Sequence, residues 1–157
     1  MGPLYGFALM FEGSHEAVPP DSPGALRIEG LILDGAGAPL AWPEGFIEFW
    51  QGEQFARGRT DEAGRYRVVV RKPAAEPTAE GAVLAPYFNV AVFARGLLKQ
   101  VVTRVYFPDE EPANAADPIL ELVPAEDREL LIAVTDGDAL RFDIVLQGDN
   151  ETPFFDF

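Results

Sequence analysis

The sequence predicts an all-β protein, a β-sandwich of mixed or antiparallel strands with short helical turns. Short runs of β-branched and aromatic residues recur along the chain, and turns rich in glycine or proline separate them. The chain has 15 Gly and 14 Pro among 157 residues, while segments with helical periodicity are scarce. Many short strands joined by such turns are typical of a sandwich or a barrel.

The first half of the chain supplies a loop and three predicted strands. Residues 12–24 (EGSHEAVPPDSPG) are rich in Pro, Ser, Gly and acidic residues, which favours a loop. Residues 25–33 (ALRIEGLIL) form the first predicted strand, and residues 45–50 (GFIEFW) alternate as a half-buried strand does. Residues 65–71 (RYRVVVR) follow a turn and place Tyr66, Val68 and Val70 on one face.

The second half supplies three more strands and two possible helical turns. Residues 88–93 are mostly apolar, which predicts a central strand covered on both sides, and residues 100–107 (QVVTRVYF) predict its neighbour. Residues 140–146 (LRFDIVL) predict a last strand. The best helix candidate is residues 124–131, because Pro124 suits a first turn and acidic residues follow it; a short turn is possible at 115–120.

We expect a single domain over residues 1–157, with residues 1–24 as an N-terminal arm and loop, because no repeat or change of composition divides the chain. The 12 basic and 26 acidic residues give a net charge of −14, which argues against nucleic acid or an anionic membrane as partner. No signal-peptide pattern or membrane-length apolar run is visible. The chain has no cysteine, which excludes thiolate chemistry and fits a cytoplasmic protein.

Four segments, in order, carry a resemblance to a known family. They are residues 26–51, residues 58–73, residues 85–118 (APYFNVAVFARGLLKQVVTRVYFPDEEPANAADP) and residues 141–157 (RFDIVLQGDNETPFFDF). Each segment alone could be an ordinary hairpin or strand. Together they resemble the intradiol ring-cleaving dioxygenases, and specifically the alpha-type subunits that accompany an iron-holding beta-type partner.

The resemblance implies that this chain lacks the iron site. Family members bind Fe(III) through two tyrosinates and two histidines, since a hard ferric ion prefers anionic oxygen. The two histidine places correspond to Tyr87 and Asn89, and one tyrosine place corresponds to Glu76. The insertion that carries the other tyrosine is missing after Trp50-Gln51, and the chain has one histidine, His15, expected in a solvated loop. We therefore expect no metal on this chain and Fe(III) on a beta-type partner.

The resemblance also implies three substrate-binding residues. Arg104 corresponds to an arginine thought to reach the partner's active site, where its fork of donors could receive a substrate carboxylate. Gly2 and Pro3 correspond to an N-terminal arm that lines the same pocket. The alternatives left open are a strand arginine paired with an acidic neighbour and a frayed terminus.

We therefore expect a chain that is inactive alone and works inside an alpha–beta oligomer that opens the ring of a catechol-type substrate. The alternative is a non-catalytic binding or structural module on the same sandwich. Phe154, Phe155 and Phe157 at the end of the chain are expected to dock on the domain or on a partner.

Overall fold

The structure is a computed structural model that describes residues 5–156. Within that range strands predominate and helices are short. The strands are β1 Ala25–Leu33, β2 Gly45–Gln51, β3 Gln54–Arg59, β4 Arg65–Arg71, β5 Glu76–Pro77, β6 Val83–Leu84, β7 Tyr87–Ala94, β8 Val101–Tyr106, β9 Val134–Asp136, β10 Ala139–Arg141 and β11 Ile144–Val145. The helices are α1 Tyr5–Leu9 and α2 Glu111–Ala115, with 3-10 turns at Leu120–Leu122 and Arg128–Leu131.

Two sheets form the sandwich, which confirms the predicted fold class. One sheet is antiparallel throughout, in the order β3-β2-β7-β8. The other is mixed: β1 pairs antiparallel with β4, parallel with β10 and parallel with β11, and β9 pairs antiparallel with β10. Strands β5 and β6 form a separate two-stranded ribbon.

The main core lies between the two sheets, where every second side chain of each strand points inward. The predicted alternation in β4 is confirmed, since Tyr66, Val68 and Val70 are buried while Arg65 and Arg67 are exposed. Fully buried partners come from β1, β2 and β7: Ile28, Ile32, Ile47, Phe49, Phe88, Val90 and Val92. Apolar burial of this kind is the main stabilising contribution to such a domain.

The single strand predicted at residues 140–146 is wrong, because the chain breaks at Phe142 and Asp143 into β10 and β11. A side-chain oxygen of Asp143 accepts a hydrogen bond from the Leu31 backbone N–H at 2.9 Å, in place of a ladder partner. The Phe142 carbonyl passes so close to Gly30 that a Cβ there would lie 2.0 Å from its oxygen. The hydrophobicity pattern of the sequence does not reveal that an aspartate side chain accepts a hydrogen bond from the backbone of another strand.

Strand β3, which was not predicted, follows β2 through a tight hairpin. Gly52 has a φ of 56°, a left-handed conformation that favours glycine, and with Glu53 it turns β2 directly into β3. The helix predicted at residues 124–131 is only the 3-10 turn Arg128–Leu131, whereas the short turn predicted at residues 115–120 is present between the end of α2 and the 3-10 turn that begins at Leu120. Helix α1 had no counterpart among the predictions.

Both ends of the described chain are held against the sandwich. Glu16 forms an isolated parallel bridge with Val69 of β4, so part of the predicted loop is fixed in place. The Phe155 backbone N–H donates to the Val102 carbonyl at 2.7 Å, and Phe154 packs at the margin of the main core. The predicted docking of the C-terminal phenylalanines on the domain is thus confirmed for these two. None of the helices within residues 5–156 has the length and apolar character needed to cross a bilayer.

Candidate functional site

The candidate site lies on the outer face of the four-stranded sheet, opposite the main core. Strands β7 and β8 are antiparallel there, with Tyr87 facing Tyr106 and Asn89 facing Arg104. Side chains two apart on a strand share a face, so these four residues form one patch. The sequence analysis considered Arg104 separately from Tyr87 and Asn89, and the strand register brings the three residues together.

Arg104 is held rigidly within this patch. Its side chain is buried, with only 7% of the residue exposed. The guanidinium carbon lies 4.0 Å from the centroid of the Tyr87 ring, which is a cation–π contact. A hydrogen bond joins the guanidinium to the Tyr106 side chain, and it acts to lower the pKa of that phenol. Tyr87 therefore serves as the platform on which the Arg104 guanidinium lies.

Tyr106 links Arg104 to a buried carboxylate. Its hydroxyl donates to Oδ1 of Asp117 at 3.2 Å, and both residues are fully buried. Burial is the largest influence on the phenol and raises its pKa well above the usual value; the hydrogen bond from Arg104 opposes that rise, and the charge of Asp117 adds to it. Tyr106 is therefore neutral at physiological pH, and its hydroxyl can donate a hydrogen bond to Asp117.

Asp117 organises the backbone around the patch. Its Oδ2 accepts from the Ala85 N–H at 2.8 Å, and its Oδ1 accepts from the N–H groups of Ile119 and Leu120, both at 2.9 Å. The carboxylate thus caps the 3-10 turn Leu120–Leu122 and ties it to the segment just before β7. Four donors converge on one buried side chain, so the approach of this turn to the sheet is tightly determined.

A second apolar cluster surrounds these polar groups. The rings of Tyr87 and Tyr106 pack beside one another with centroids 6.1 Å apart. Buried aliphatic side chains from the segment after β8 and from the segment just before β7 complete the cluster: Ala85, Leu120, Val123 and Leu131. Exclusion of water from the cluster strengthens the electrostatic interactions among Arg104, Tyr106 and Asp117.

Tyr87, Asn89 and Glu76, which stand where the family resemblance assigns iron ligands, do not fit a ferric ion. Asn89 donates through Nδ2 to Oε1 of Gln51 at 3.4 Å, and Tyr87 lies under the Arg104 guanidinium, whose positive charge occupies the space beside its ring. Glu76 lies in the β5–β6 ribbon, opposite Leu84, rather than in the sheet. Among residues 5–156, no three His, Cys, Asp or Glu side chains come close enough to hold a metal.

The other predicted residues lie apart from this patch. Gly2 and Pro3 lie outside the described residues. His15 is half-buried beside β4, where its carbonyl accepts from the Val69 N–H at 2.8 Å, and its Nε2 lies 3.4 Å from an Oε1 of Glu16. The loop prediction for His15 holds in part, since its backbone is fixed to the sheet.

Sequence reasoning missed Tyr106 and Asp117. Tyr106 could have been found from its position, because it lies two residues after Arg104 on a predicted strand and so shares its face. Asp117 precedes a proline and a short apolar turn, which is an N-cap pattern. That pattern does not reveal that the capping carboxylate also accepts from a distant strand.

Three curated relatives are similar to the chain over most of its length. The alpha chain of protocatechuate 3,4-dioxygenase from Pseudomonas putida is 37% identical over 161 residues, covering 88% of this chain and 79% of the relative. The alpha chain from Burkholderia cepacia is 47% identical over 135 residues, covering 82% of this chain and 66% of the relative. The beta chain of the B. cepacia enzyme is 31% identical, covering 80% and 66%.

The chain therefore spans slightly less than two thirds of both Burkholderia chains. No protein-family model matches it.

Solved structures support the fold. Hydroxyquinol 1,2-dioxygenase from Pseudomonas putida DLL-E4 superposes with a TM-score of 0.65 at 16% identity, covering 87% of this chain and 63% of that one. The dioxygenase domain of a carbohydrate-binding fusion protein from Streptomyces sp. SirexAA-E superposes with a TM-score of 0.61 at 20% identity, covering 88% of each chain. At these identities the likeness bears on the sandwich and its topology alone.

Proposed function

Because this chain belongs to the protocatechuate 3,4-dioxygenase alpha chains of the intradiol dioxygenase family, we propose that it is the iron-free subunit of a heteromeric ring-cleaving enzyme. Its partner is a beta-type chain that holds Fe(III), the ion that supplies the oxygen chemistry when bound. The substrate is protocatechuate. The overall reaction adds both atoms of O2 across the bond between the two hydroxyl-bearing carbons and gives 3-carboxy-cis,cis-muconate.

The observation that carries this proposal is the outer face of β7 and β8. At the two positions that the family resemblance assigns to histidine, this chain has Tyr87 and Asn89, and Arg104 lies beside both. A cation in that place suits the wall of a neighbouring pocket rather than a metal centre, because a guanidinium repels a metal cation and attracts a carboxylate.

Arg104 is the residue that we propose to recognise the substrate. Protocatechuate carries a carboxylate, and a chain with a net charge of −14 repels it at long range. A rigid guanidinium offsets that repulsion locally, since a charge-assisted hydrogen bond contributes about 1.5–3 kcal/mol. The stacking on Tyr87 and the hydrogen bond to Tyr106 fix the guanidinium in advance, so little side-chain entropy is lost on binding.

Further parts of the proposal concern the whole assembly. Residues 1–157 form one intradiol-type domain whose N-terminal arm, with Gly2 and Pro3, lines the partner's pocket. Alpha–beta pairs repeat in a larger symmetric oligomer. The setting is cytoplasmic, which the absence of cysteine supports.

The test is reconstitution. Three samples are prepared: this chain alone, a beta-type partner that carries the Tyr/Tyr/His/His ligand set alone, and the two chains together. Iron is measured by mass spectrometry and turnover by oxygen uptake with protocatechuate. We expect iron and activity in the pair and neither in the chain alone. Iron-dependent turnover by the chain alone would refute the proposal.

A second candidate is a non-catalytic structural module on the same sandwich. The observation in its favour is the burial of Arg104, because an arginine anchored by Tyr87 and Tyr106 also stabilises the sheet without any ligand. A stable pair whose turnover is unchanged when the guanidinium is removed would favour this candidate.

A further inference from the structure

A second feature lies at the opposite edge of the four-stranded sheet from Arg104. Strand β3 forms that edge, and it meets the edge strand β4 of the other sheet. Gly58 permits the close approach, since a Cβ there would lie 2.8 Å from the Arg67 carbonyl oxygen. A cavity of about 690 Å³ opens at this seam, bounded by residues 10–15, β3 and β4. That volume lies within the range of small-molecule sites.

The wall of the cavity is fixed by hydrogen bonds. The backbone N–H of Arg57 donates to the Ser14 carbonyl at 2.6 Å, and the Ser14 hydroxyl donates to the Arg57 carbonyl at 3.0 Å. On the other side, the Val69 N–H donates to the His15 carbonyl at 2.8 Å. Residues 14–16 therefore bridge β3 and β4, and the cavity is formed before any ligand enters it.

Four arginines line the cavity, a third of the 12 basic residues in the chain. They are Arg57 and Arg59 of β3 and Arg65 and Arg67 of β4, two on each strand with the spacing that puts side chains on one face. Three carboxylates also line it, so with His15 neutral the lining carries 4 − 3 = +1 in a chain of −14. Such a local reversal of sign concentrates anions.

The carboxylates on the wall have other hydrogen-bond or ion-pair partners. Oδ1 of Asp61 accepts from the backbone N–H groups of Ala63 and Arg65 at 2.8 and 2.9 Å, and these contacts help to lower the pKa of this carboxyl. Glu29 has an oxygen 3.5 Å from Nε of Arg27. Asp61 therefore stays ionised with its Oδ1 already engaged by backbone N–H groups, Glu29 lies near Arg27, and the third acid, Glu12, is exposed on the loop.

One of the four arginines is held by close polar partners, and another, Arg59, has its guanidinium carbon 6.0 Å from the centroid of the Trp42 ring. Arg57 pairs with Glu48, with Nη2 and Oε1 2.6 Å apart, and donates to the Leu9 carbonyl at 2.9 Å. Arg59, Arg65 and Arg67 are exposed, and within residues 5–156 none of them has a carboxylate oxygen within 4.0 Å. Three guanidinium forks on a preformed wall are suited to bidentate recognition of oxyanions.

We propose that this cavity binds a small multivalent anion, a polycarboxylate or a phosphate, through Arg59, Arg65 and Arg67. The site is separate from the proposed substrate contact, because β3 and β8 are the two opposite edges of one sheet. A monovalent anion would engage fewer of the three forks and bind more weakly.

The test uses the full chain in the assembly in which it purifies, with citrate and inorganic phosphate as probes and acetate as the monovalent control, at matched ionic strength. Binding is measured by calorimetry. We expect citrate, phosphate or both to bind, with acetate at least tenfold weaker, and the two probes decide between carboxylate and phosphate chemistry. No heat of binding with either probe up to about 10 mM, a Kd limit weaker than that of typical metabolite sites, would overturn the proposal.

Variants locate the binding. The double variant Arg65→Gln/Arg67→Gln should bind the effective probe at least tenfold more weakly, while Arg95→Gln, an exposed arginine paired with Glu44 outside the cavity, should bind within about twofold of the parent. Circular dichroism checks that each variant is folded. An equal loss in Arg95→Gln would mean binding to overall charge and would refute the site. Because the readout is binding and not turnover, this result is independent of the proposed dioxygenase role.

Discussion

Asp117 offers the sharpest test of how the patch around Arg104 is built. Its fully buried carboxylate accepts hydrogen bonds from the N–H groups of Ala85, Ile119 and Leu120 and from the Tyr106 hydroxyl, at 2.8 to 3.2 Å. Asp117→Ala removes all four acceptor contacts at once. Asp117→Asn keeps an oxygen at Oδ1 and replaces Oδ2 with an amide that faces the Ala85 N–H.

The two substitutions should differ in size. Each hydrogen bond lost from a buried donor costs about 1 kcal/mol or more, because the donor cannot recover a partner from water. Asp117→Ala strands four donors and should lower the free energy of unfolding by about 4 kcal/mol. Asp117→Asn loses one contact and the charge, and should lower it by about 2 kcal/mol. A domain whose total stability is about 5–15 kcal/mol would be visibly weakened by either.

Urea denaturation measures both effects. With a slope of about 2 kcal/mol per molar, the midpoint should fall by about 2 M for Asp117→Ala and about 1 M for Asp117→Asn. The matched control is Asp138→Asn, because that carboxylate is exposed and makes a surface pair with Arg27 at 2.6 Å; it should change the stability by less than about 1 kcal/mol. A cycle with Tyr106→Phe should give a coupling energy of about 0.5 kcal/mol or more.

A midpoint for Asp117→Ala within about 0.3 M of the parent protein would contradict this role of Asp117, since four buried donors without an acceptor should lower the free energy of unfolding by more than that. The role would also be contradicted if the exposed control lost as much stability as the buried aspartate.

Three further predictions concern the substrate contact, the backbone and pH. In the reconstituted pair, Arg104→Met should lower kcat/KM for protocatechuate about 10- to 100-fold, because one charge-assisted contact is lost while side-chain volume is retained. Gly30→Ala should prevent folding or cost more than about 4 kcal/mol in a chemical denaturation series, because its Cβ would lie 2.0 Å from the Phe142 oxygen. Burial raises the pKa of both Tyr66 and Tyr106, so the folded state keeps protons that the unfolded state releases, and stability should fall as pH rises above about 10, by up to about 1.4 kcal/mol per pH unit for each phenol.

Each of these has a control and a contrary outcome. Catechol lacks the carboxylate, so its turnover should be nearly unaffected by Arg104→Met, and an equal loss with both substrates would count against a substrate contact. Gly81→Ala, where φ is 87° but no atom lies within 4 Å, should cost about 1–2 kcal/mol from backbone strain alone; a similar value at Gly30 would contradict the steric argument. Tyrosinate absorbance that develops fully in the folded protein below about pH 10 would contradict the pKa direction for Tyr66 and Tyr106.

The sequence was most informative where local pattern and environment agree. The alternation of Tyr66, Val68 and Val70 located β4, and the apolar run around Val90 located a central strand. It misled where a side chain replaces a backbone partner. Asp143 interrupts the last strand by accepting from the Leu31 N–H, and a carboxylate that does this looks in sequence like any polar strand residue.

The same division applies to the candidate site. Arg104 was found from its family motif, and Tyr87 and Asn89 from the positions they occupy. Asp117 was not found, because its role depends on two donors from its own turn, the Tyr106 hydroxyl of β8 and the Ala85 N–H before β7. No spacing rule connects residue 117 to residue 85.

By itself, the sequence determined the class of fold, the presence of one histidine where the family's iron site needs two, the absence of cysteine and the acidic character of the chain. It also identified Arg104 as a candidate substrate-binding residue. Only the tertiary structure decided that Arg104 lies on the Tyr87 ring and is linked through Tyr106 to Asp117, and that four arginines meet at one cavity between β3 and β4. The physical reason is that composition and periodicity are properties of neighbours along the chain, whereas a guanidinium's partners and a cavity's charge depend on which strands the sheets bring side by side.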